Sequence, residues 1–503
     1  MTASVLRDQL DHWARVLPAE PAVSFGEQHF TWAQWRQRIL RLTGALRDAG
    51  IGPGDRVAVL DLNHLAAIEL TLAASALRAA TVVVNFRLSP GQIRYILEDS
   101  RPSLLFHGAA FGGDTVSRRV VIEDGYESFL AAGEPDEGAG AGPDDVCLVL
   151  YTSGTTGHPK GSQLTHRGIN THSEACNTIF QMGPGDINLV AMPLFHVGGS
   201  CYALSGVYDG ARTLLLREPS PAALFGAIAS GATHAFVVPA VVQGVLAAGD
   251  QAITAFGGLA KLAYGASPMP LPMLRKALAA WPGTGLVQVY GMTELSGATT
   301  ILTPSDHLDV AHPERLGSAG RPVPGTEVRI VDPVSRTDVE PGMPGEIWMR
   351  TAQVMRGYLN QPEATAQTIT PDGWLRTGDI GRLDAGGYVY ILDRLKDMII
   401  TGGENVYCPE VENVLSDCPG VAEGVVIGVP DGQWGEAVKA IVVPAPGASL
   451  TVDEVIGFCR DRLAHYQSPA SVDFVQDLPR NGTGKVLKRD LREPYWAGRE
   501  RVI

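Results

Sequence analysis

At 503 residues the chain exceeds one ordinary domain, so two or three are expected, each large enough to bury a core. Its 54 acidic residues outnumber 40 basic ones, and the net charge of −14 argues against nucleic acid or an anionic membrane surface as a partner. A hydrophobic content of 45% with 19% charged residues is that of a soluble globular protein. The cysteines (Cys147, Cys176, Cys201, Cys408, Cys418, Cys459) form no Cys-x-x-Cys pair, the usage of a reduced cytoplasmic protein rather than a disulfide framework. Arg7, Asp8 and Asp11 near the start speak against a signal peptide, and the tail Glu500-Arg501-Val502-Ile503 is not a peroxisomal address.

In chain order, Leu6, Leu10, Trp13 and Leu17 mark an amphipathic helix over 5–17. Thr31 and Gln34 form a capping-box pattern ahead of a helix whose face is Trp35, Ile39, Leu42 and Leu46, with Gly50 as its stop. A strand is expected over 56–62. The apolar run 66–84 is interrupted by Glu69 and Arg78, so it reads as a buried helix and then a strand, not a membrane span. Ser89-Pro90 opens another helix, and 103–107 returns as a strand. Strands alternating with helices imply parallel sheet covered on both faces, and the alternation resumes at 213–216, 221–231, 233–238 and 286–290. Residues 132–145 read as a turn-rich connection. Past about residue 310 the texture changes to short β segments (345–350, 374–376, 388–392), and from about 397 to a small α+β unit.

Chemistry concentrates first at Tyr151-Thr152-Ser153-Gly154-Thr155-Thr156-Gly157-His158-Pro159-Lys160-Gly161, directly after the apolar run 146–150. Glycines let backbone N–H groups turn toward an anion, hydroxyls add donors, and Lys160 adds charge, a set that suits a polyphosphate. The spacing is not that of the common P-loop. Composition alone favours a flexible loop; the position behind a strand and the lysine after the glycines favour the phosphate. Tyr290-Gly291-Met292-Thr293-Glu294 follows a second strand, where open α/β sheets bind ligands. Tyr290 can stack on a base, Thr293 can donate to phosphate, and Glu294 can hold Mg²⁺ through one carboxylate, although a buried tyrosine and a surface glutamate explain the pentapeptide as well. Asp379, in Arg376-Thr377-Gly378-Asp379, can accept from both hydroxyls of a ribose, or can simply sit in a tight turn.

The glycine- and hydroxyl-rich string resembles the phosphate loop of the adenylate-forming enzymes: acyl- and aryl-CoA ligases, luciferase and nonribosomal adenylation domains. The resemblance extends over nearly the whole chain. It implies ATP, Mg²⁺ and coenzyme A as reactants. The large N-terminal domain would span 1–392, with doubly wound parallel sheets and a β-rich subdomain over about 310–392. A hinge at 393–397 would join it to a small mobile α+β domain at 398–503. The resemblance also implies residue roles. Thr152, Ser153, Gly154, Thr155, Thr156, Gly157 and Lys160 would hold phosphates. Tyr290, Thr293 and Glu294 would take the three roles above, with Gly291 a further position of the nucleotide site. Gly265-Ala266-Ser267 would lie beside adenine and the reacting carboxylate, with Ala266 in place of a frequent glycine. Asp379 and Arg394 would hold the ribose, Lys396 would be the hinge, and Gly402 would stand aside for the pantetheine arm. Lys485, behind the turn Asn481-Gly482-Thr483-Gly484, would be the catalytic lysine of the first half-reaction; a solvated charge is the alternative.

His196 matches a position that lines the acyl pocket, with a core histidine as the alternative reading. Phe195, His196 and the small residues Gly198, Gly199, Gly297 and Ala298 suggest an apolar tunnel. Trp434 reads as packing, with a place beside the coenzyme also open. The resemblance therefore implies conversion of a carboxylic acid to acyl-AMP and then acyl-CoA. A medium or long fatty acid is expected first, because no residue of the tunnel stretch offers a charged partner for a polar tail. An aryl acid, or delivery to a separate carrier protein, is the alternative, and a catalytically inactive nucleotide- or acyl-binding regulator is the rival from another class. The partners expected are small molecules, with a homodimer left open.

Overall fold

The computed structural model describes residues 4–112, 115–152, 158–480 and 486–497. The chain divides into two compact units. The first comprises residues 1–327 and 350–375, the second 328–349 and 376–503. This grouping joins part of the β-rich stretch to the C-terminal part, whereas the sequence reading draws its boundary at 392/393.

The first unit is built on two sheets, one seven-stranded and one nine-stranded. In the seven-stranded sheet Val146–Thr152 runs parallel to Ala80–Val83, which runs parallel to Arg56–Leu60. In the nine-stranded sheet Ile187–Val190, His234–Val237, Lys261–Gly265 and Gly285–Met292 follow one another in parallel. Both sheets have a parallel centre whose strands alternate with helices, as the alternation implies, and antiparallel strands at their edges. The capping box at Thr31 forms with Gln34, and Trp35, Ile39, Leu42 and Leu46 are buried behind it. The segment expected as helix then strand is Leu65–Ala76 followed by Ala80–Val83. Glu69, inside that helix, is fully buried, yet it stays paired: Arg38 donates to both its oxygens at 2.8 and 3.1 Å, and the Tyr126 hydroxyl donates at 2.6 Å. Among the described residues no helix is long and apolar enough to cross a membrane.

One strand that matters carries no β signature in the sequence. Lys160–Thr165 pairs antiparallel with Val146–Thr152, putting Thr152 opposite Lys160, so the expected phosphate loop sits between the strands of a hairpin. The short strand Gly357–Tyr358 adds to that hairpin's outer edge, with Tyr358 opposite Ser162.

The second unit contains a four-stranded sheet of Glu327–Val331, Gly345–Arg350, Leu375–Leu383 and Val389–Arg394, the antiparallel subdomain that the short β segments announce. A five-stranded sheet holds the long antiparallel pair Val421–Asp431 and Gly435–Pro444, with Cys408–Ser416 packed on it. Val411, Leu415, Val426 and Val438 form its core.

Candidate active site

In the first unit, the strand ending at Thr152 and the strand beginning at Lys160 bring a hydroxyl and an ammonium to one end of the sheet. Ser153, Gly154, Thr155, Thr156 and Gly157 lie outside the described residues. Glu294 reaches the same place from the turn after Gly285–Met292. Its Oε1 accepts a hydrogen bond from the Tyr358 hydroxyl at 2.8 Å and a longer one from Thr152 Oγ1 at 3.4 Å. Lys160 Nζ stands 5.1 Å from the centre of the Tyr358 ring. Burial, and then the adjacent Glu294 carboxylate, push the Tyr358 phenol up, so it remains a donor. Both donors engage Oε1; among the described residues none donates to Oε2, which leaves that oxygen for a cation. No cluster of His, Cys, Asp and Glu fit to enclose a metal occurs among the described residues. One carboxylate oxygen beside phosphates is the arrangement Mg²⁺ prefers.

The neighbouring motif residues are fixed by backbone packing. Gly291 lies at a register shift against Gly297–Leu302, and a Cβ there would overlap the carbonyl of Gly297. Thr293 and Glu294 are buried and Tyr290 is half-buried. At the end of Lys261–Gly265, a Cβ on Gly265 would overlap the Val289 carbonyl. Ala266 then adopts φ 66°, a left-handed conformation that a Cβ disfavours, and Ser267 follows it. Ala266 therefore holds a strained backbone position.

The expected tunnel residues are placed differently from what their small size suggests. Gly199 makes room for the Pro193 carbonyl, and Gly198 for the Phe236 ring, whose Cε1 would lie 2.6 Å from an added Cβ. Gly297 makes room for His172: an added Cβ would stand 2.5 Å from its Nε2. His196 caps the helix Val197–Asp209, its Nδ1 accepting from the Gly198 N–H at 3.1 Å. The cap explains its residue type without a substrate.

In the second unit, the antiparallel pairing of Leu375–Leu383 with Val389–Arg394 puts Asp379 opposite Arg394. Arg394 Nε lies 2.6 Å from Asp379 Oδ1. Asp379 is buried, while Arg394 is 39% exposed on its side chain, so the pair presents one accessible face. Lys396 follows; burial lowers its pKa, and Arg492 holds its carbonyl at 3.1 Å and the Asp397 carboxylate at 3.0 Å. Gly402 has φ 59°, and its N–H donates to the Trp434 carbonyl at 2.8 Å. A Cβ on Gly402 would stand 2.9 Å from the Trp434 ring, which is itself 53% exposed. Lys485 lies outside the described residues.

Tyr358 and His172 escape the sequence reading. Tyr358 follows Gly357 in a two-residue strand, too short for any periodicity. His172 shares the mixed helix His166–Phe180 with one other histidine, His166, a pattern without a signature.

Comparison with known proteins matches residues 10–359 to the AMP-binding enzyme family and 410–485 to the AMP-binding enzyme C-terminal domain. The chain belongs to the AMP-binding enzyme family. It is an AMP-forming acid–thiol ligase of the acyl-CoA ligase class. It is 39% identical to a feruloyl-CoA synthase of Amycolatopsis sp, covering 96% of this chain and 97% of that protein. It is 35% identical to the fatty acid–[acyl-carrier-protein] ligase ScoC of Streptomyces coeruleorubidus, over 97% and 95% of the two chains. Its fold matches the o-succinylbenzoate CoA synthetase MenE of Bacillus subtilis in complex with its acyl-adenylate (TM-score 0.86, 29% identity, 98% and 99% covered). The same synthetase is also known in complex with ATP and a magnesium ion.

Proposed function

We propose that this ligase activates a hydrophobic carboxylic acid with ATP and passes the acyl group to coenzyme A. The observation that carries the reading is the Glu294 carboxylate, tied through Oε1 to Tyr358 and Thr152, with Lys160 over the same ring. Such a cluster neutralises and orients a polyphosphate without dedicating a cage to the metal. In the first step a carboxylate oxygen of the acid attacks the α-phosphorus, the bond to the bridging oxygen breaks, and pyrophosphate leaves. Lys160 and the hydroxyl- and glycine-rich loop take the charge of the phosphates, and Lys485 offsets the charge where carboxylate and phosphate meet. Mg²⁺ held on Glu294 supplies charge neutralisation of the phosphates. Asp379 and Arg394 hold the ribose, and Tyr290 stacks on the base. In the second step the coenzyme A thiolate attacks the acyl carbon and AMP leaves. Lys396 acts as the hinge, and Gly402 keeps the backbone clear of the pantetheine arm.

The fatty and the aryl acid each have support, one from the similarity to ScoC and one from the similarity to the feruloyl-CoA synthase. A carrier protein as acceptor is the second reading, favoured by the ScoC similarity alone. Pyrophosphate release with a panel of acids, followed by thioester formation with free coenzyme A against carrier proteins, tests these assignments. Absence of pyrophosphate release with every acid would overturn the reading.

A further inference from the structure

Five buried histidines are described, His107, His166, His172, His234 and His307, and four of them are hydrogen-bonded. His107 Nδ1 pairs with the Gly108 carbonyl, His166 Nδ1 accepts from the Leu6 N–H, His234 pairs with Thr233 and the Phe180 carbonyl, and His307 with Tyr264 and the Thr303 carbonyl. His172 is the exception. Its Nδ1 is sealed without a partner, and its Nε2 makes no hydrogen bond with any described residue, although the side chain is only 7% exposed.

Burial alone pushes His172 down to about 4, so the ring is neutral at physiological pH and carries one N–H and one acceptor nitrogen. Buried polar atoms are almost always satisfied, so a ring bare at both nitrogens calls for an explanation, and a partner that joins later is one. Nε2 is the edge that a partner can meet. It faces Gly297, where a Cβ would stand 2.5 Å away and clash with Cδ2 at 2.6 Å as well. Gly297 has φ 129°, a region other residues avoid, so the bare backbone there lets the ring pack beside it. In the sheet register Gly297 pairs with Met292, the residue before Thr293 and Glu294. The bare edge of His172 is thus presented beside the turn that carries the reaction's carboxylate. The helix of His172 packs on Val197–Asp209 through the Ser173–Ser205 hydrogen bond of 3.0 Å. That second helix bears Gly198 against the Phe236 ring, and its Tyr202 ring stands 5.9 Å from that of Phe236, so aromatic rings line this helix.

We propose that His172 Nε2 is a specificity-determining group of the acyl pocket, hydrogen-bonding a hydroxyl on the ring of an aromatic acid. An alkyl chain would leave both ring nitrogens unsatisfied in the complex, whereas a phenolic hydroxyl can either donate or accept and so suits either tautomer. A flat ring also suits the Phe236 and Tyr202 rings at the neighbouring helix. This inference rests on the ligase reading above and names the acid within it.

The test is kcat/KM for pyrophosphate release with 4-hydroxycinnamate, cinnamate, octanoate and dodecanoate, in the wild type, His172→Leu and His172→Gln. The wild type should prefer 4-hydroxycinnamate over cinnamate by about 30-fold, the worth of a neutral hydrogen bond plus the cost of leaving the ring unpaired. His172→Leu should bring that ratio close to unity by losing only the hydroxylated acid, and His172→Gln should keep most of it. A wild type that favours cinnamate or either alkanoate overturns the proposal, as does a ratio unchanged in His172→Leu. Should His172→Leu fail to fold, the wild-type ratio and His172→Gln still decide. Pyrophosphate release with none of these acids, but with an unrelated one, overturns the aromatic acid and leaves the ligase standing; release with no acid at all overturns the ligase reading itself.

Discussion

Tyr358→Phe isolates the contact on which the phosphate end of the site depends. The substitution keeps the ring, so the stacking face under Lys160 at 5.1 Å survives, and it deletes only the hydroxyl that donates to Glu294 at 2.8 Å. What remains is Thr152 at 3.4 Å, too long to hold the carboxylate in one rotamer. A hydrogen bond to a charged group contributes about 1.5–3 kcal/mol, and Glu294 is only 6% exposed, so water compensates poorly. If that orientation is what presents Oε2 to Mg²⁺, the Mg²⁺ concentration for half-maximal pyrophosphate release should rise by about 10-fold or more, since 1.4 kcal/mol is a factor of ten. The KM for the acid should hardly move. Titrating Mg²⁺ at saturating ATP and acid, with the melting temperature measured alongside, reads both effects. A lower melting temperature with an unchanged Mg²⁺ dependence would refute the reasoning and make Tyr358 a packing residue.

Other perturbations follow from particular geometries. Ala266→Gly should raise stability by about 1 kcal/mol or less, because relief of the left-handed alanine at φ 66° outweighs the entropy of an added glycine; denaturant midpoints check this. Asp379→Asn should raise the KM for ATP by about 10–100-fold, through loss of charged acceptors for the ribose and of the 2.6 Å contact with Arg394, and steady-state kinetics in ATP would show it. Asp209, buried at the carboxyl end of Val197–Asp209, is pushed up to about 8 by burial. Its folded pKa lies above the unfolded one, so stability is complete near pH 4 and is lost as pH rises toward 8; Asp209→Asn should raise the melting temperature at pH 8 and do little at pH 4. Lys485→Ala should depress adenylation by about 10²–10³-fold yet spare thioester formation from supplied acyl-AMP, while Lys396→Pro should do the reverse; each half-reaction assayed alone checks the pair, and equal loss of both steps in Lys485→Ala would refute it.

Strands and helices of the first unit are legible because their apolar periods are long and their caps are local. Thr31 with Gln34 needs only three residues of context, and the structure forms that box; Ser89-Pro90 opens its helix too, with a box to Gln92 that the structure adds. The pairing of Asp379 with Arg394 becomes visible through the family resemblance and is realised here by strand register, fifteen residues of chain folding back on themselves. Tyr358 is not legible, since its meaning comes from an edge pairing with Ser162 that lies far away in the chain. The strand Lys160–Thr165 is missed for a related reason: Gly161, Ser162 and Gln163 lack β-branched or aromatic character, and the pairing with Val146–Thr152 overrides their weak propensity.

Small residues near the site are where sequence and structure part most instructively. Read along the chain, Gly198, Gly199 and Gly297 suggest space kept for a ligand. In three dimensions the space at Gly198 belongs to the Phe236 ring, that at Gly199 to the Pro193 carbonyl, and that at Gly297 to His172. A glycine records that something approaches closely; its identity does not say whether that something is substrate or the chain itself. At Gly297 both meanings combine, because the neighbour admitted by the missing side chain carries an unsatisfied nitrogen. Pocket volume therefore tells less about the acid than the polar edge left at its boundary. Gly297→Ala would strain the backbone at φ 129° and press a methyl on His172 together, so it should disturb selectivity between hydroxylated and plain rings before it shortens the longest acid accepted. The reverse order, with chain length lost first and ring selectivity intact, would place the tunnel at Gly297 after all and remove His172 from it.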